Sequence, residues 1–243
     1  MPRGGAAPRR RGAGTGLLVF LLIGAVIAGG IFVLDRYAAG RVQREAAAQL
    51  QTELGTPTTP RVDVAGWPFL TQVVTQHLRS VHVVADDVGA AGGSTVPVAH
   101  TDLVLTGVRS SDWFHTMTAD HAEGTALVRY EDLGAVSTTP LTYAGDGRLR
   151  VVQKTSLFGT DLEATVTGTP ELDVRDQTLT LADPQVSVGS VALPQGTAEA
   201  LLQTLVRPIP VTGLPFGLTL SSVSAEDDGL HVGLVGDHVP LQR

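Results

Sequence analysis

The sequence contains no cysteine and no asparagine, and Lys154 is its only lysine. The lack of cysteine excludes disulfide bonds, thiol catalysis, thiolate metal sites and a lipid-modified N-terminal cysteine. The lack of asparagine excludes N-glycosylation, because the glycan is attached to that side chain. Aromatic residues make up only 5% of the chain, so its apolar content comes mainly from valine, leucine and alanine.

The chain has one long uncharged stretch, residues 16–34, which follows Arg3, Arg9, Arg10 and Arg11. As a helix, its apolar core (residues 17–34) would span about 27 Å at ~1.5 Å per residue, close to the ~30 Å hydrocarbon thickness of a bilayer. Preceding arginines favour a cytoplasmic N-terminus. We therefore predict a basic cytoplasmic leader (1–15), a transmembrane signal-anchor (16–34) and an extracytoplasmic domain (35–243) of a single-pass cell-membrane protein.

A cleaved signal peptide is the alternative interpretation of this N-terminus. Such peptides have a shorter apolar region and small residues at the cleavage site. The best candidate here, Tyr37-Ala38-Ala39, places a bulky tyrosine where a small residue is needed. Under both interpretations, the folded part of the protein is exported.

The exported part is strongly acidic. The leader holds four of the 17 basic residues and none of the 24 acidic ones, so residues 35–243 carry 13 basic and 24 acidic side chains and a formal charge of −11. Nucleic-acid-binding proteins need clustered positive charge, which this domain lacks. The same balance argues against simple electrostatic adhesion to anionic lipid headgroups.

Hydropathy patterns predict an α+β fold. Apolar residues at three- and four-residue spacing predict a helix over 35–54, and a second helix is predicted over 197–206 with a short helical turn at 130–133. Between them, alternation with a period of two predicts strands joined by short turns, which makes the strands antiparallel. The predicted strands are 61–64, 80–84, 101–108, 116–130, 148–154, 162–168, 171–174, 178–188, 218–223 and 230–235, with one of the turns at Gly168-Thr169-Pro170. The resulting fold is a long, twisted antiparallel sheet with a few helices.

This sheet has more apolar surface than two amphipathic helices can cover. The inward positions are Val62, Val64, Val81, Val83, Leu103, Leu105, Leu149, Val151, Ala164, Val166, Leu179, Leu181, Leu218 and Leu220. Either the sheet curls on itself or it leaves an apolar groove for another molecule.

No pattern of polar residues indicates catalysis or a cofactor. Asp112, His115, Asp120 and His121 cluster in sequence, but they lack the fixed ligand spacing that a metal site needs. No nucleophile elbow, phosphate-binding loop or dinucleotide-binding motif is present. A hydrolase that uses the region of His231 and Asp237 is the weakest hypothesis, because a single titratable pair does not establish acid–base catalysis.

Two apolar motifs that contain proline are the most distinctive local features. Gly66-Trp67-Pro68-Phe69-Leu70-Thr71-Gln72 follows the first strand, and Leu214-Pro215-Phe216-Gly217-Leu218 precedes the last strand pair. Proline fixes a turn while the aromatic rings bury a large area, so the motifs could anchor the core. They could equally line the mouth of an apolar cavity.

The ordered series of motifs resembles the LmeA-like phospholipid-binding proteins of actinobacterial envelopes. The similarity includes the arginine-led apolar segment, Asp35-Arg36, the helix end at 50–55, both proline motifs, Tyr130-Glu131-Asp132-Leu133 and Asp228-Gly229-Leu230. The resemblance implies an elongated β-rich fold similar to tubular lipid-binding proteins, with a hydrophobic interior. It also implies phospholipid binding and a role in envelope maintenance or lipoglycan assembly. It supplies no catalytic residue, metal or cofactor.

Our first hypothesis is a membrane-anchored protein without enzymatic activity that binds phospholipid or transfers it. The predicted cavity-lining residues are Trp67, Phe69, Leu70, Leu105, Val128, Val151, Phe158, Val166, Leu214, Phe216 and Leu218. The alternative is an interaction module that binds no lipid and recruits or braces an envelope enzyme such as a glycosyltransferase. Its contact patch would contain Trp113, Phe114 and Met117.

Overall fold

The computed structural model describes residues 13–89, 96–114, 116–137, 140–157, 160–188, 191–192, 209–211 and 214–241. Within these ranges the helices are α1 (Ala13–Leu54), α2 (Phe69–Val74) and α3 (Tyr130–Ser137), with a 3-10 turn at Pro215–Gly217. The strands are β1 (Arg61–Ala65), β2 (His77–Val88), β3 (Val98–Ser110), β4 (Met117–Val128), β5 (Leu141–Gly145), β6 (Arg148–Leu157), β7 (Thr160–Asp173), β8 (Thr178–Val188), β9 (Val191–Ala192), β10 (Ile209–Pro210), β11 (Thr219–Ala225) and β12 (Leu230–Pro240).

The strands form two sheets. The first has the order β1-β2-β3-β4-β12-β11, and the second has the order β10-β8-β7-β6-β5 with β9 beside β8. All the neighbouring pairs are antiparallel, as expected for strands joined by short connections. The predicted β-rich fold with a long antiparallel sheet and few helices is therefore confirmed.

Helix α1 runs without interruption from Ala13 to Leu54. Ala39 and Ala47 are buried in the main apolar cluster, and Ala46 and Leu50 pack against it. The apolar stripe predicted over 35–54 therefore covers the protein's own sheet. No helix among the residues that the structure describes is long and apolar enough to cross a membrane.

The inward faces of the strands carry the core. Successive side chains of a strand point to opposite faces, and β3 shows this directly, since Leu105 is buried while Val104 is exposed. The apolar positions predicted to point inward are all buried or half-buried in the structure. Most of them join a single cluster that extends from α1 through both sheets.

One predicted turn is wrong. Gly168, Thr169 and Pro170 do not separate two strands, because β7 continues through them with a register shift against β8 between Thr167 and Thr169. Proline is tolerated at such an irregularity, and Pro170 is buried opposite Leu181. The residues that predicted a turn therefore form a bulge inside one long strand.

Several short elements were not predicted, α2 and β5 among them, and one predicted helix cannot be compared with the structure. Helix α2 has six residues and β5 has five, so neither is long enough to show a clear period. The predicted turn at 130–133 is the start of α3, which is eight residues long. The predicted helix at 197–206 lies outside the described residues.

Candidate functional site

Helix α2 is held by a carboxylate from another helix. Pro68 at its N-cap position provides no side-chain hydrogen bond. Asp35 of α1, only 1% exposed, fills this role because its Oδ1 accepts a hydrogen bond of 2.7 Å from the backbone N–H of Leu70. Burial alone would raise the pKa of Asp35, but the backbone N–H groups of Leu70 and Phe69 and the charge of Arg36 outweigh it and lower the pKa below its usual value.

The first proline motif splits between the core and the surface. Phe69 is one of the most deeply buried large side chains, whereas Trp67 and Leu70 are exposed. Gln72 is also buried, and its Oε1 accepts a 2.9 Å hydrogen bond from the backbone N–H of Arg79. Gly66 has a φ of +106°, and a Cβ there would lie 2.8 Å from Nε2 of Gln72, so a side chain at this position would clash.

The second proline motif lies against the same core. Leu218 is buried, and Leu214 and Phe216 are half-buried against the main cluster, which also contains Phe69 and Leu105. Phe216 adopts a left-handed backbone conformation with a φ of +59°, which is unusual for a bulky residue. Five of the predicted cavity-lining residues therefore belong to one continuous apolar interior.

The other predicted lining residues are distributed more widely. Val166 forms a second buried cluster with Val186, against which Val151 packs. Val128 is buried at the end of β4. Phe158 lies outside the described residues, and a lining role for Trp67 and Leu70 stays a prediction.

A cavity of about 340 Å³, wide open to solvent, lies between α3 and β5, where the chain passes from the first sheet to the second. It is lined by Tyr130, Glu131, Gly134, Pro140 and Leu141. This volume is within the range of about 300–1,000 Å³ that is typical of ligand pockets. Sequence reasoning did not find this cavity, although Tyr130 and Glu131 belong to one of the motifs that carry the family resemblance.

The wall of this cavity is fixed by the hydroxyl group of Tyr130. Its Oη lies 2.6 Å from the carbonyl oxygen of Glu226 and 2.9 Å from that of Gly229. Both acceptors belong to the turn between β11 and β12. Burial raises the pKa of Tyr130 to about 12, with further increases from the charges of Asp228 and Glu226.

A second cavity, of about 330 Å³, lies at the edge of the first sheet. Its lining residues are Thr59, Pro60, Arg61, Val84 and Asp86. This lining includes two charged side chains, Arg61 and Asp86, whereas the lining of the first cavity includes only Glu131. An acyl chain would therefore be in a less favourable environment here than beside Tyr130 and Leu141.

The polar clusters considered from the sequence do not assemble as catalytic groups. His231 pairs with Asp228 at 2.9 Å, whereas Asp237 pairs with His121 at 2.7 Å, so the structure does not bring His231 and Asp237 together. The hydrogen bond from His231 lowers the pKa of Asp228.

The other predicted acidic and histidine cluster is also divided among different partners. Asp120 pairs with Arg109 at 2.7 Å, and Asp112 binds Ser110 and Thr116. His115 lies outside the described residues. A grouping that was not predicted, Glu226, Asp228 and His231, has ligand atoms within 4.8 Å of one another on the exposed β11–β12 turn.

Comparison with known proteins agrees with the sequence motifs. A family model described as LmeA-like phospholipid-binding matches residues 33–234. Neither the curated proteins nor the solved structures contain a significant match. The matched range extends from the end of the uncharged segment of α1 to the middle of β12.

Proposed function

The chain belongs to the LmeA-like phospholipid-binding family, and from this membership we propose that it binds one phospholipid molecule through the apolar interior of its β-rich domain. The observation that carries the proposal is the family match over residues 33–234, which includes every strand of both sheets at least in part. The family is a lipid-binding one, and this agrees with the absence of a recognisable catalytic motif in the sequence.

The physical basis of binding would be burial of acyl chains against valine and leucine side chains. Each methylene group removed from water contributes roughly 0.8 kcal/mol. The half-buried side chains of Leu214, Phe216 and Val151 border the buried clusters, so they are suited to move aside for an apolar ligand. We propose that one acyl chain reaches the interior through the cavity beside Tyr130 and Leu141.

We further propose that residues 16–34 anchor the protein in the cytoplasmic membrane and leave residues 35–243 outside the cytoplasm. The support is the uncharged segment and the arginines that precede it. An anchor would keep the binding domain beside its lipid source and raise the effective lipid concentration. Such a protein would transfer phospholipid and support envelope maintenance or lipoglycan assembly.

Uptake of labelled phospholipid tests the binding step. A fragment of residues 33–243 retains Asp35, which caps α2, and all residues that the family model matches. Its folding is first checked by circular dichroism. Incubation with vesicles that contain labelled phospholipid, followed by removal of the vesicles, should leave label on the protein.

A folded fragment that acquires no label would contradict lipid binding and would favour the interaction-module hypothesis. Under that hypothesis, affinity purification of the full chain from membranes should recover an envelope enzyme such as a glycosyltransferase.

A further inference from the structure

The exposed large apolar side chains of the described residues are concentrated around α2 and the adjoining part of α1. On the part of α1 up to residue 37 they are Val26, Ile27, Ile31, Phe32, Val33, Leu34 and Tyr37. On and beside α2 they are Trp67, Leu70, Val74 and Trp113. Elsewhere in the part of the chain that the structure describes, this class contains only Val42, Val104 and Val174. Single exposed apolar residues are ordinary, but a concentration of them marks an interaction surface.

Hydrogen bonds hold these residues near one another. Asp35 at the end of the uncharged segment accepts the 2.7 Å bond from Leu70 at the start of α2. Just after α2, the side-chain Oε1 of Gln76 accepts a 2.8 Å bond from the backbone N–H of Trp113. The backbone oxygen of Gln76 accepts a second bond, of 3.0 Å, from Ser110. The loop that carries Trp113 is therefore fixed to the end of α2.

The outer face of α2 carries two large apolar side chains. Leu70 and Val74 are one helical turn apart and therefore share a face, and both are exposed, with Val74 at 71%. Phe69 and Gln72 are buried on the opposite face. Trp67 (55% exposed) precedes the helix and Trp113 (65% exposed) follows it in space. We define these four exposed residues, Trp67, Leu70, Val74 and Trp113, as the α2 patch.

The geometry points to the α2 patch as a membrane-contact surface. Its side chains would lie in the interfacial layer of the bilayer that residues 16–34 cross. This inference rests on the anchoring part of the proposed function. The α2 patch lies next to the end of the exposed apolar segment of α1, because Asp35, which follows that segment, binds the start of α2 directly. Tryptophan is enriched at membrane–water interfaces, where its ring is apolar and its N–H meets the headgroups.

The charge of the domain leaves apolar insertion as the means of membrane contact. Residues 35–243 carry a formal charge of −11, so attraction to anionic headgroups would not hold the domain against a membrane. Apolar and aromatic insertion does not depend on that attraction. Contact through the α2 patch would hold the β-rich domain in one orientation beside the bilayer instead of leaving it to pivot on its anchor.

Tryptophan fluorescence provides a direct test because the chain has only two tryptophans, and both lie in the α2 patch. The full chain is reconstituted in phosphatidylcholine–phosphatidylglycerol vesicles whose acyl chains are brominated near the headgroup, and flotation confirms that it is bound to vesicles. Trp113→Phe leaves Trp67 as the only reporter, and Trp67→Phe leaves Trp113. We expect brominated lipid to quench most of the emission of both variants and iodide in solution to quench little of it.

A matched control uses Val174 on the turn between β7 and β8, which has the same 55% exposure as Trp67. Val174→Trp in the Trp67→Phe, Trp113→Phe background should be quenched by iodide and not by brominated lipid. Val74→Glu should reduce lipid quenching of Trp113, because it places a charge within the α2 patch.

The outcomes separate this inference from the proposed function. Flotation without lipid quenching of either tryptophan would overturn the contact surface and leave the anchor intact, and a protein partner would then be the alternative occupant. Quenching of Trp67 alone would also overturn it and would favour a role for Trp67 at a lipid cavity. A chain that does not float would overturn both the anchor and the contact surface. Quenching of both tryptophans in a chain that binds no lipid in its interior would support the membrane-contact surface and contradict the proposed phospholipid binding.

Discussion

The hydroxyl oxygen of Tyr130 lies 2.6 Å from the carbonyl oxygen of Glu226, and this contact joins the start of α3 to the turn between β11 and β12. The two residues are distant in sequence. They come close in space because Val128, the last residue of β4, pairs with Leu230, the first residue of β12. The contact fixes one wall of the cavity between α3 and β5.

Replacement of Tyr130 by phenylalanine should destabilise the domain modestly. The change removes the hydroxyl donor and leaves the carbonyl groups of Glu226 and Gly229 without that partner. We expect the free energy of unfolding of the 33–243 fragment to fall by about 1 kcal/mol, as is typical for one hydrogen bond. Urea denaturation measures it. Tyr37→Phe is the control, because Tyr37 is exposed on α1 and should change little; equal effects of the two changes would contradict the contact.

The raised pKa of Tyr130 predicts a loss of stability in strong base. The folded-state pKa is about 12 against an ordinary value of 10.0, so the unfolded chain releases this proton first as the pH rises. The contribution is fully present below pH 10 and is lost between pH 10 and about 12. Unfolding measured across this window should show a decline that Tyr130→Phe reduces. Identical pH profiles for the two proteins would argue against a raised pKa.

Loss of the Asp35 carboxylate should loosen α2. Asp35→Ala removes the acceptor for the Leu70 N–H, and hydrogen exchange of that amide should become several-fold faster. Asp35→Asn keeps an acceptor oxygen and should retain most of the protection at neutral pH. Because the folded-state pKa of Asp35 is lowered from 3.8, its ionised form adds stability above that pH, and this contribution is lost as the pH falls through the folded-state value. Unchanged exchange in Asp35→Ala would show that α2 does not need this cap.

Adjacent residues on β3 offer a matched test of the apolar interior. Leu105 faces inward and is buried, whereas Val104 points outward. Leu105→Asp should reduce bound phospholipid severalfold with a smaller effect on secondary structure, because a buried charge is unfavourable beside acyl chains. Val104→Asp should leave lipid binding unchanged. Equal losses of lipid and of circular dichroism signal in Leu105→Asp would mean that this position is ordinary core, and Val166→Asp applies the same test to the second sheet.

Filling the cavity between α3 and β5 tests the proposed path of the acyl chain. Leu141 lines the cavity and its neighbour Thr142 is exposed. Leu141→Trp should reduce lipid uptake severalfold by occupying the space, whereas Thr142→Trp should not. Uptake that is unaffected by Leu141→Trp would place the lipid elsewhere in the interior.

Much of the fold was predictable because strand formation depends on a local pattern. The strand over 178–188 was predicted and found with the same limits, since Leu179 and Leu181 alternate with threonines at its start and turn residues precede it. Helix α2 was missed because it is short and its capping carboxylate comes from Asp35, far away in sequence. The turn expected at Gly168 became a bulge because pairing with β8 outweighed local turn preference.

The binding residues were harder to predict for the same reason. Periodicity identifies Leu105 and Leu218 as inward, and both are buried. It does not show which side of a proline motif meets the core, and only packing of α2 separates buried Phe69 from exposed Trp67 and Leu70. The cavity beside Tyr130 depends on a contact with a turn near the other end of the chain, which no local pattern reveals.

The central claim is that this domain holds a phospholipid, and its co-purified lipid tests this most directly. The 33–243 fragment would be expressed in a native-like envelope, purified without detergent, extracted with organic solvent and measured by lipid mass spectrometry. We predict phospholipid in a molar amount comparable to that of the protein, with the class of headgroup identified by its mass. A folded fragment that contains no phospholipid, and that also takes up none from vesicles, would contradict the account.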